Sequence, residues 1–476
     1  MFQLLQRKDI EDEEKLAQLL IGGDPGSGGY RVLKSRVRDR LINTILSLDV
    51  KHLGRAERYI GEQECMRLLR CSRLLISLGM RDAGIYFARK ALRLARDYEL
   101  ALLHLMSLKI LRYHFSYVGN RAAFNRYTRE VDRLTDVINA ELQLDNYLQS
   151  MRIEFARSIN AGAEVRETSM RYALKARSIL RQVQSFEINF NAYRLIAMAH
   201  QANGDYETTI AICAEALADL DKRPARFDND VIRQEFELKR MVCLMGLRRY
   251  DEGLRCGARC LELMGDRRAN FLLIYEPILL MHMHLGAYET ALDIHRKVVN
   301  DRRFNLAIEA HRMRWYIFDA YLHMCAEFGW VKAPRSRTRE RFNTEQFRRR
   351  VQPLIRDRGE LNVAILIVEL LFYIRRFMET DKLDVLSETV LQFIGRRLRD
   401  NSQRRSKIFL RMLVSISSCS FDYEQIRHKN KRRLSDLQAA RQEADGASAG
   451  MEALEVIPYE VLWEGVMAFI RKAGRG

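Results

Sequence analysis

Four short segments of similar sequence constrain most strongly how this chain can fold. They read GMRDAGI at 79–85, GDYETTI at 204–210, RRYDEGL at 248–254 and GAYETAL at 286–292. In each, a small residue stands five places after the turn position, and a second, mostly small residue follows seven places later, on the same helical face. These residues are Gly84, Thr209, Gly253 and Ala291, and then Ala91, Ala216, Cys260 and Val298. Small residues let two helices approach closely, so the pattern predicts helical hairpins.

The composition predicts an all-α chain. Only 6 of 476 residues are proline, and the sequence is rich in Leu, Ala, Arg, Glu and Met, a bias that favours continuous helix. With 47% apolar residues, the chain can bury a sizeable core, which excludes a disordered protein. From Val32 onward we expect one helix after another.

The hairpin pattern resembles the tetratricopeptide repeat (TPR), which places Gly-x-Tyr at the turn. The turn tyrosines here are Tyr206, Tyr250 and Tyr288, and the preceding helix of the best copy carries Tyr193, Ile196, Ala197 and His200 where the family has aromatic, leucine, small and aromatic residues. The spacings of 44 and 38 residues depart from the family's usual 34, and Arg81 replaces the first tyrosine. The resemblance covers 190–300 best and 65–98 more weakly. It implies a right-handed α-solenoid of TPR-like helix hairpins that serves as a protein-binding scaffold.

We predict four segments along the chain. Residues 1–30 form an N-terminal helix and a Gly-rich hinge, and 31–303 form the TPR-like helical repeats. Residues 304–437 continue the solenoid as its basic part. Residues 438–476 comprise a loose connector and a C-terminal capping helix that covers apolar surface.

The positive charge is regional. The chain carries a formal net charge of +18, and the stretches 331–358 and 396–433 hold ten and twelve lysines and arginines, each against three acids. A solvated helical face is one interpretation. The other is a basic face for nucleic-acid phosphates or an acidic protein. Its candidates are Arg335, Arg337, Arg339, Arg341, Arg348, Arg349, Arg350, Arg396, Arg397, Arg399, Arg404, Arg405 and Lys407.

No catalytic, cofactor or metal site is predicted. The ten histidines are scattered, and the eight cysteines form no CxxC pair and no Cys/His cluster of zinc type. We expect the cysteines to be reduced and structural. The N-terminus lacks the apolar core of a signal peptide, and no apolar run is long enough to span a bilayer, so a cytoplasmic protein without membrane contact is expected.

The leading functional hypothesis is a non-enzymatic scaffold that holds a peptide or helix of a partner protein in its groove. The candidate groove residues lie on the predicted first helices of the hairpins: Asn189, Tyr193, His200, Glu237, Arg240, Tyr275 and His282. The alternative is nucleic-acid binding through the basic C-terminal third. The identity of the partner and the oligomeric state are left open.

Overall fold

The computed structural model confirms an all-α solenoid of helical hairpins. It describes residues 13–48, 56–157, 163–264, 271–332, 342–356, 361–376, 380–398, 404–446 and 455–473. These residues form twenty α-helices and contain no β-strand. The chain divides into two compact units, residues 1–119 and 120–476, a boundary that the sequence did not indicate.

The first unit contains five helices. They are α1 (Glu13–Ile21), α2 (Gly28–Ser47), α3 (Glu57–Ser77), α4 (Arg81–Asp97) and α5 (Ala101–Tyr117). Helix α1 packs against α2, and α3, α4 and α5 pack against one another around a small core that includes Cys65, Leu69 and Ala91. The Gly-rich segment predicted as a hinge is partly helical, because Ser27 caps α2 by accepting a hydrogen bond from the Tyr30 amide at 3.3 Å.

The second unit contains the other fifteen helices. They are α6 (Arg121–Arg157), α7 (Ala163–Gln182), α8 (Phe186–Ala202), α9 (Tyr206–Lys222), α10 (Asp230–Gly246), α11 (Tyr250–Met264), α12 (Phe271–His284), α13 (Tyr288–Val299), α14 (Glu309–Glu327), α15 (Thr344–Arg356), α16 (Leu361–Arg375), α17 (Thr380–Arg397), α18 (Arg404–Ser417), α19 (Tyr423–Gly446) and α20 (Tyr459–Ala473). Each packs against its neighbours in the chain. The pairs α6/α8, α10/α12, α14/α16 and α16/α18 also pack against each other, which is the arrangement expected when hairpins stack in series.

The small residues of the repeated pattern lie where neighbouring helices pack closely. All eight of them are buried. A Cβ added at Gly84 would lie 2.9 Å from the Ser72 carbonyl oxygen, and one at Gly253 would lie 2.6 Å from Met281 Sδ. These distances show that the helices approach too closely at these positions for larger side chains.

The four turns share one backbone conformation. Gly79, Gly204 and Gly286 have φ of +81°, +73° and +74°, and Arg248 has φ of +58° at the corresponding place in the third turn. Glycine reaches this left-handed region freely, so Arg248 holds a conformation that its side chain disfavours. The turn residue Tyr206 is buried against Gly246 of the next hairpin.

The C-terminal boundaries differ from the prediction. Helix α19 extends through Gly446, so the loose connector expected from Gln438 is helical in its first part. Helix α20, in the segment predicted to cap the solenoid, begins at Tyr459. Its Gly465 packs closely against Trp330, and Phe469 lies under the Arg375 guanidinium at 3.9 Å.

All eight cysteines are free thiols. Seven are buried, whereas Cys71 is exposed. Burial raises the pKa of the Cys65, Cys213 and Cys260 thiols to about 12, which keeps them protonated near neutral pH and favours a packing role.

Candidate functional site

Polar side chains join three successive first helices of the second unit. Asn191 on α8 donates from Nδ2 to Asp145 Oδ1 on α6 at 3.0 Å. Arg194, one turn further along α8, donates to Asn191 Oδ1 at 2.8 Å and to Glu235 Oε2 on α10 at 2.8 Å. We call these four residues the first-helix row. Because each hydrogen bond fixes the next side chain, the row is held in one arrangement before any partner arrives.

The first-helix row is partly accessible to solvent. Asp145 is exposed, and the side chains of Arg194 and Glu235 keep 16% and 32% of their surface. Burial and the nearby Glu187 carboxylate raise the pKa of Asp145. The row therefore combines a half-buried ion pair with open polar groups that can accept or donate further hydrogen bonds.

A similar link joins the first helices of later hairpins. Arg314 on α14 donates from Nη1 to Glu276 Oε1 on α12 at 2.7 Å. The other carboxylate oxygen, Glu276 Oε2, is buried and has no hydrogen-bond partner among the described residues. A buried acceptor of this kind is costly to leave unpaired.

The candidate groove residues on α8 lie toward the second helix of their own hairpin. Asn189 is buried and donates to Asp219 Oδ2 on α9 at 3.2 Å. Tyr193 is half-buried, and burial together with Asp219 raises its pKa. His200 is half-buried, with Nδ1 2.9 Å from Asp205 Oδ2 at the turn.

The candidates on α10 and α12 are placed in the same way. Glu237 is buried between Arg240 of its own helix and Arg259 of α11, at 3.2 and 3.3 Å. Tyr275 is buried, with Lys297 of α13 5.6 Å from its ring centre. His282 is half-buried, and burial lowers its pKa. These seven candidates are thus largely engaged in closing their own hairpins, whereas the first-helix row links one hairpin to the next.

The predicted basic face is described in part. Arg335, Arg337, Arg339, Arg341, Arg399 and the Arg397 side chain lie outside the described residues. Arg348, Arg349 and Arg350 are exposed on α15, with Arg348 Nε 3.2 Å from Glu369 Oε1. Arg396 and Arg404 are exposed, and Lys407 is half-buried.

Arg405 is buried and is not part of any exposed basic face. Its guanidinium donates to Glu455 Oε1 at 2.8 Å, to Glu460 at 2.9 Å through two nitrogens, and to the Leu437 carbonyl at 2.7 Å. Burial alone would raise the pKa of Glu460. The hydrogen bonds from Arg405 and its positive charge outweigh this effect, so the pKa of Glu460 lies below its usual value. The side chain serves to hold α18, α19 and α20 together.

Two other kinds of site are absent from the part of the chain that the structure describes. No group of three or more His, Cys, Asp or Glu side chains is placed to hold a metal ion. Within the same residues, no helix combines the length and apolar character needed to cross a membrane.

The first-helix row was not predicted, although the amino-acid sequence contains a usable signal for it. Asn191 and Glu235 are 44 residues apart, the same separation as Tyr206 and Tyr250, so they occupy equivalent positions in successive hairpins. Because successive residues on a helix differ in direction by about 100°, Asn189 and Asn191 point to different sides. To choose between these two asparagines, one must know which side of α8 packs against each neighbouring helix.

Comparisons with known proteins found a distant likeness among solved structures. No protein-family model matches the sequence, and no curated protein matches it. Among solved structures, the chain is similar to the crystal structure of the P58(IPK) TPR domain, with 12% sequence identity. The match covers 79% of this chain and 97% of that one, with a TM-score of 0.20. No function follows from a likeness this distant.

Proposed function

We propose that the chain is a non-enzymatic scaffold that binds a partner protein along the first-helix row of its second unit. The observation that carries this proposal is the cross-linking of α6, α8 and α10 by Asp145, Asn191, Arg194 and Glu235. A fixed row of donors and acceptors binds an extended peptide at a lower ordering cost than mobile side chains would. The resemblance of the hairpins to TPR repeats supports the same interpretation.

The partner of this row is expected to be a peptide segment. Arg194 presents a charged donor beside the open oxygens of Asp145 and Glu235, which suits the alternating amide and carbonyl groups of a peptide backbone.

The experiment compares two charge-neutral double variants of the full chain. One is Arg194→Ala with Glu235→Ala, which opens the first-helix row. The matched control is Arg249→Ala with Glu252→Ala, which removes an exposed pair joined at 2.6 Å at the α10–α11 turn. Each protein is immobilised, incubated with nuclease-treated native extract, and its bound proteins are quantified by mass spectrometry.

We expect the wild type and the control to retain the same nuclease-resistant partners, and the row variant to lose at least one of them. Equal retention by both variants would contradict the proposed site. Complete loss of partners from the wild type after nuclease treatment would contradict protein binding itself. Circular dichroism checks that both variants remain helical.

A further inference from the structure

Helix α19 carries an unusually dense group of positive side chains. Five lysines and arginines occur among the seven residues 427–433: Arg427, Lys429, Lys431, Arg432 and Arg433. All except Arg433 are exposed, and Arg433 is half-buried. At about 1.5 Å per residue, these charges occupy roughly 10 Å of helix.

Helix α19 contacts α18 through a narrow stripe of residues, and its basic side chains face outward. Of its described side chains, Ile426, Asn430, Leu437 and Ala440 are buried. Asn430 Nδ2 donates to Ser415 Oγ on α18 at 2.7 Å, and the Leu437 carbonyl accepts from Arg405. The spacing of these buried residues is that of a single helical stripe, so most of the helix surface faces solvent.

Helix α18 contributes to the same surface. Arg404 and Arg411 are seven residues apart and exposed, with the half-buried Lys407 between them on one side of the helix. Lys429 of α19 donates to Ser418 Oγ at 2.8 Å, just after α18 ends, so the exposed sides of the two helices adjoin. We call Arg404, Lys407, Arg411, Arg427, Lys429, Lys431, Arg432 and Arg433 the α18–α19 basic surface.

The carboxylates near this surface neutralise little of it. Asp422 caps α19 by accepting from the Gln425 amide at 2.7 Å. Glu424 lies 3.8 Å from Arg427, and both side chains are exposed, a pairing that contributes little in water. Asp436 is half-buried one turn beyond the basic residues.

We propose that the α18–α19 basic surface binds duplex nucleic acid through its backbone phosphates. Phosphate binding needs only positive charge on an accessible surface, which this hairpin supplies. Among the side chains of α19 that the structure describes, the exposed ones include no large apolar residue to insert into a bilayer and no aromatic or apolar centre such as a protein interface requires. The same side chains provide no exposed aromatic platform on which single-stranded bases stack.

The surface differs from the arginine cluster that the sequence placed at 335–350. Helix α15, which carries Arg348, Arg349 and Arg350, packs against α14 and α16, whereas α19 packs against α18 and α20. Arg348 also lies beside the buried Glu369 carboxylate, which reduces its availability. The proposal therefore rests on α18 and α19 alone and goes beyond the protein-binding function.

The test measures binding of the full chain to a fluorescein-labelled 20-base-pair duplex of mixed sequence, as DNA and as RNA, between 50 and 300 mM salt. The test variant is Arg411→Gln, Lys431→Gln and Arg432→Gln. The control is Arg31→Gln, Arg36→Gln and Arg40→Gln, which removes three exposed charges from α2. Both variants change the net charge equally.

Log affinity falls as log salt rises, and we expect this dependence to be less steep in the test variant. The magnitude of the slope should decrease by about 2.7 for DNA, because each of the three lost phosphate contacts removes about 0.9. The affinity at 0.15 M salt should fall on the order of 100-fold, and the control should stay close to wild type. Equal losses in both variants would attribute binding to net charge and overturn the proposal. It would also be overturned by wild-type affinity weaker than about 10⁻⁴ M at physiological salt.

Three further probes distinguish the other occupants of the surface. They are the single strand, a polyglutamate peptide of equal charge, and phosphatidylserine vesicles. Weaker binding of all three than of duplex, at the same salt, supports the proposal. If the wild type binds any one of these probes as tightly as duplex or more tightly, and the test variant loses that binding, the surface would be assigned to that class of ligand instead.

Discussion

The hairpins at 186–299 and the C-terminal segment at 404–473 are stabilised in different ways. In the hairpins, close packing of small residues joins helices that are adjacent in the chain, as at Gly253 against Met281. In the C-terminal segment, a buried arginine joins carboxylates 50 and 55 residues away, and His284 Nε2 lies 2.6 Å from the Glu455 carbonyl, 171 residues distant. Close packing of small residues recurs from hairpin to hairpin, whereas buried polar contacts between residues far apart in the chain hold the C-terminal segment.

The largest expected effect comes from breaking the buried ion cluster. Arg405→Ala leaves Glu455 and Glu460 without their shared cation, so we expect a loss of about 3–5 kcal/mol in the stability of the C-terminal segment. Hydrogen exchange measured by mass spectrometry on 455–473 reports this segment directly. Arg411→Ala, an exposed site on the same helix, is the control. Unchanged protection in Arg405→Ala would contradict the role of the cluster.

Acid should weaken the same cluster. The folded pKa of Glu460 lies below its usual value of 4.5, so its contribution to stability is present above that pH and is lost as the pH falls below it. Urea denaturation of the C-terminal segment between pH 6 and pH 3 measures this loss. The Glu460→Gln variant has no carboxyl group at this position to titrate, so its stability should depend less steeply on pH. An identical pH dependence in both proteins would exclude Glu460 as the titrating group.

The contrast explains what the sequence could predict. The hairpins follow from local patterns, so the turns and all eight small positions could be read from spacing alone. The burial of Arg405 could not be predicted, because nothing near it in sequence distinguishes it from the exposed Arg404. The carboxylates that pair with Arg405 come from a separate segment of the chain. The first-helix row was missed for a related reason, since Asn191 and Arg194 are polar residues whose role depends on the neighbouring hairpin.

Overpacking the hairpins should have a smaller effect. Gly84→Leu and Gly253→Leu are each expected to destabilise the protein by roughly 1–3 kcal/mol, because the added side chain forces two close helices apart. Thr208→Leu, one position away from the small Thr209, should be milder because Thr208 is only half-buried. Urea denaturation compares the three variants. Equal losses in all of them would mean that the small positions do not mark the helix contact.

Alanine at the same two glycines sharpens this prediction. At Gly84 the new Cβ would meet the Ser72 carbonyl oxygen of the backbone, whereas at Gly253 it would meet the end of the flexible Met281 side chain. A methionine can change rotamer, but a helix backbone must shift as a whole. Gly84→Ala should therefore cost more than Gly253→Ala in the same denaturation measurement. The reverse order would show that the Met281 side chain is the more rigid neighbour.

The smallest expected effect concerns the turn backbone. Arg248→Gly relieves a left-handed conformation that costs a non-glycine residue about 1–2 kcal/mol, but glycine also gains entropy in the unfolded chain, worth about 0.5–1 kcal/mol. The two effects oppose each other, so a net stabilisation below about 1 kcal/mol is expected in urea denaturation. Arg248→Asn should behave similarly, because asparagine tolerates this region. Gly204→Ala should destabilise by about 1 kcal/mol, since it introduces the same strain at an equivalent turn. A clear loss in both Arg248 variants would show that contacts of the arginine side chain outweigh the backbone strain.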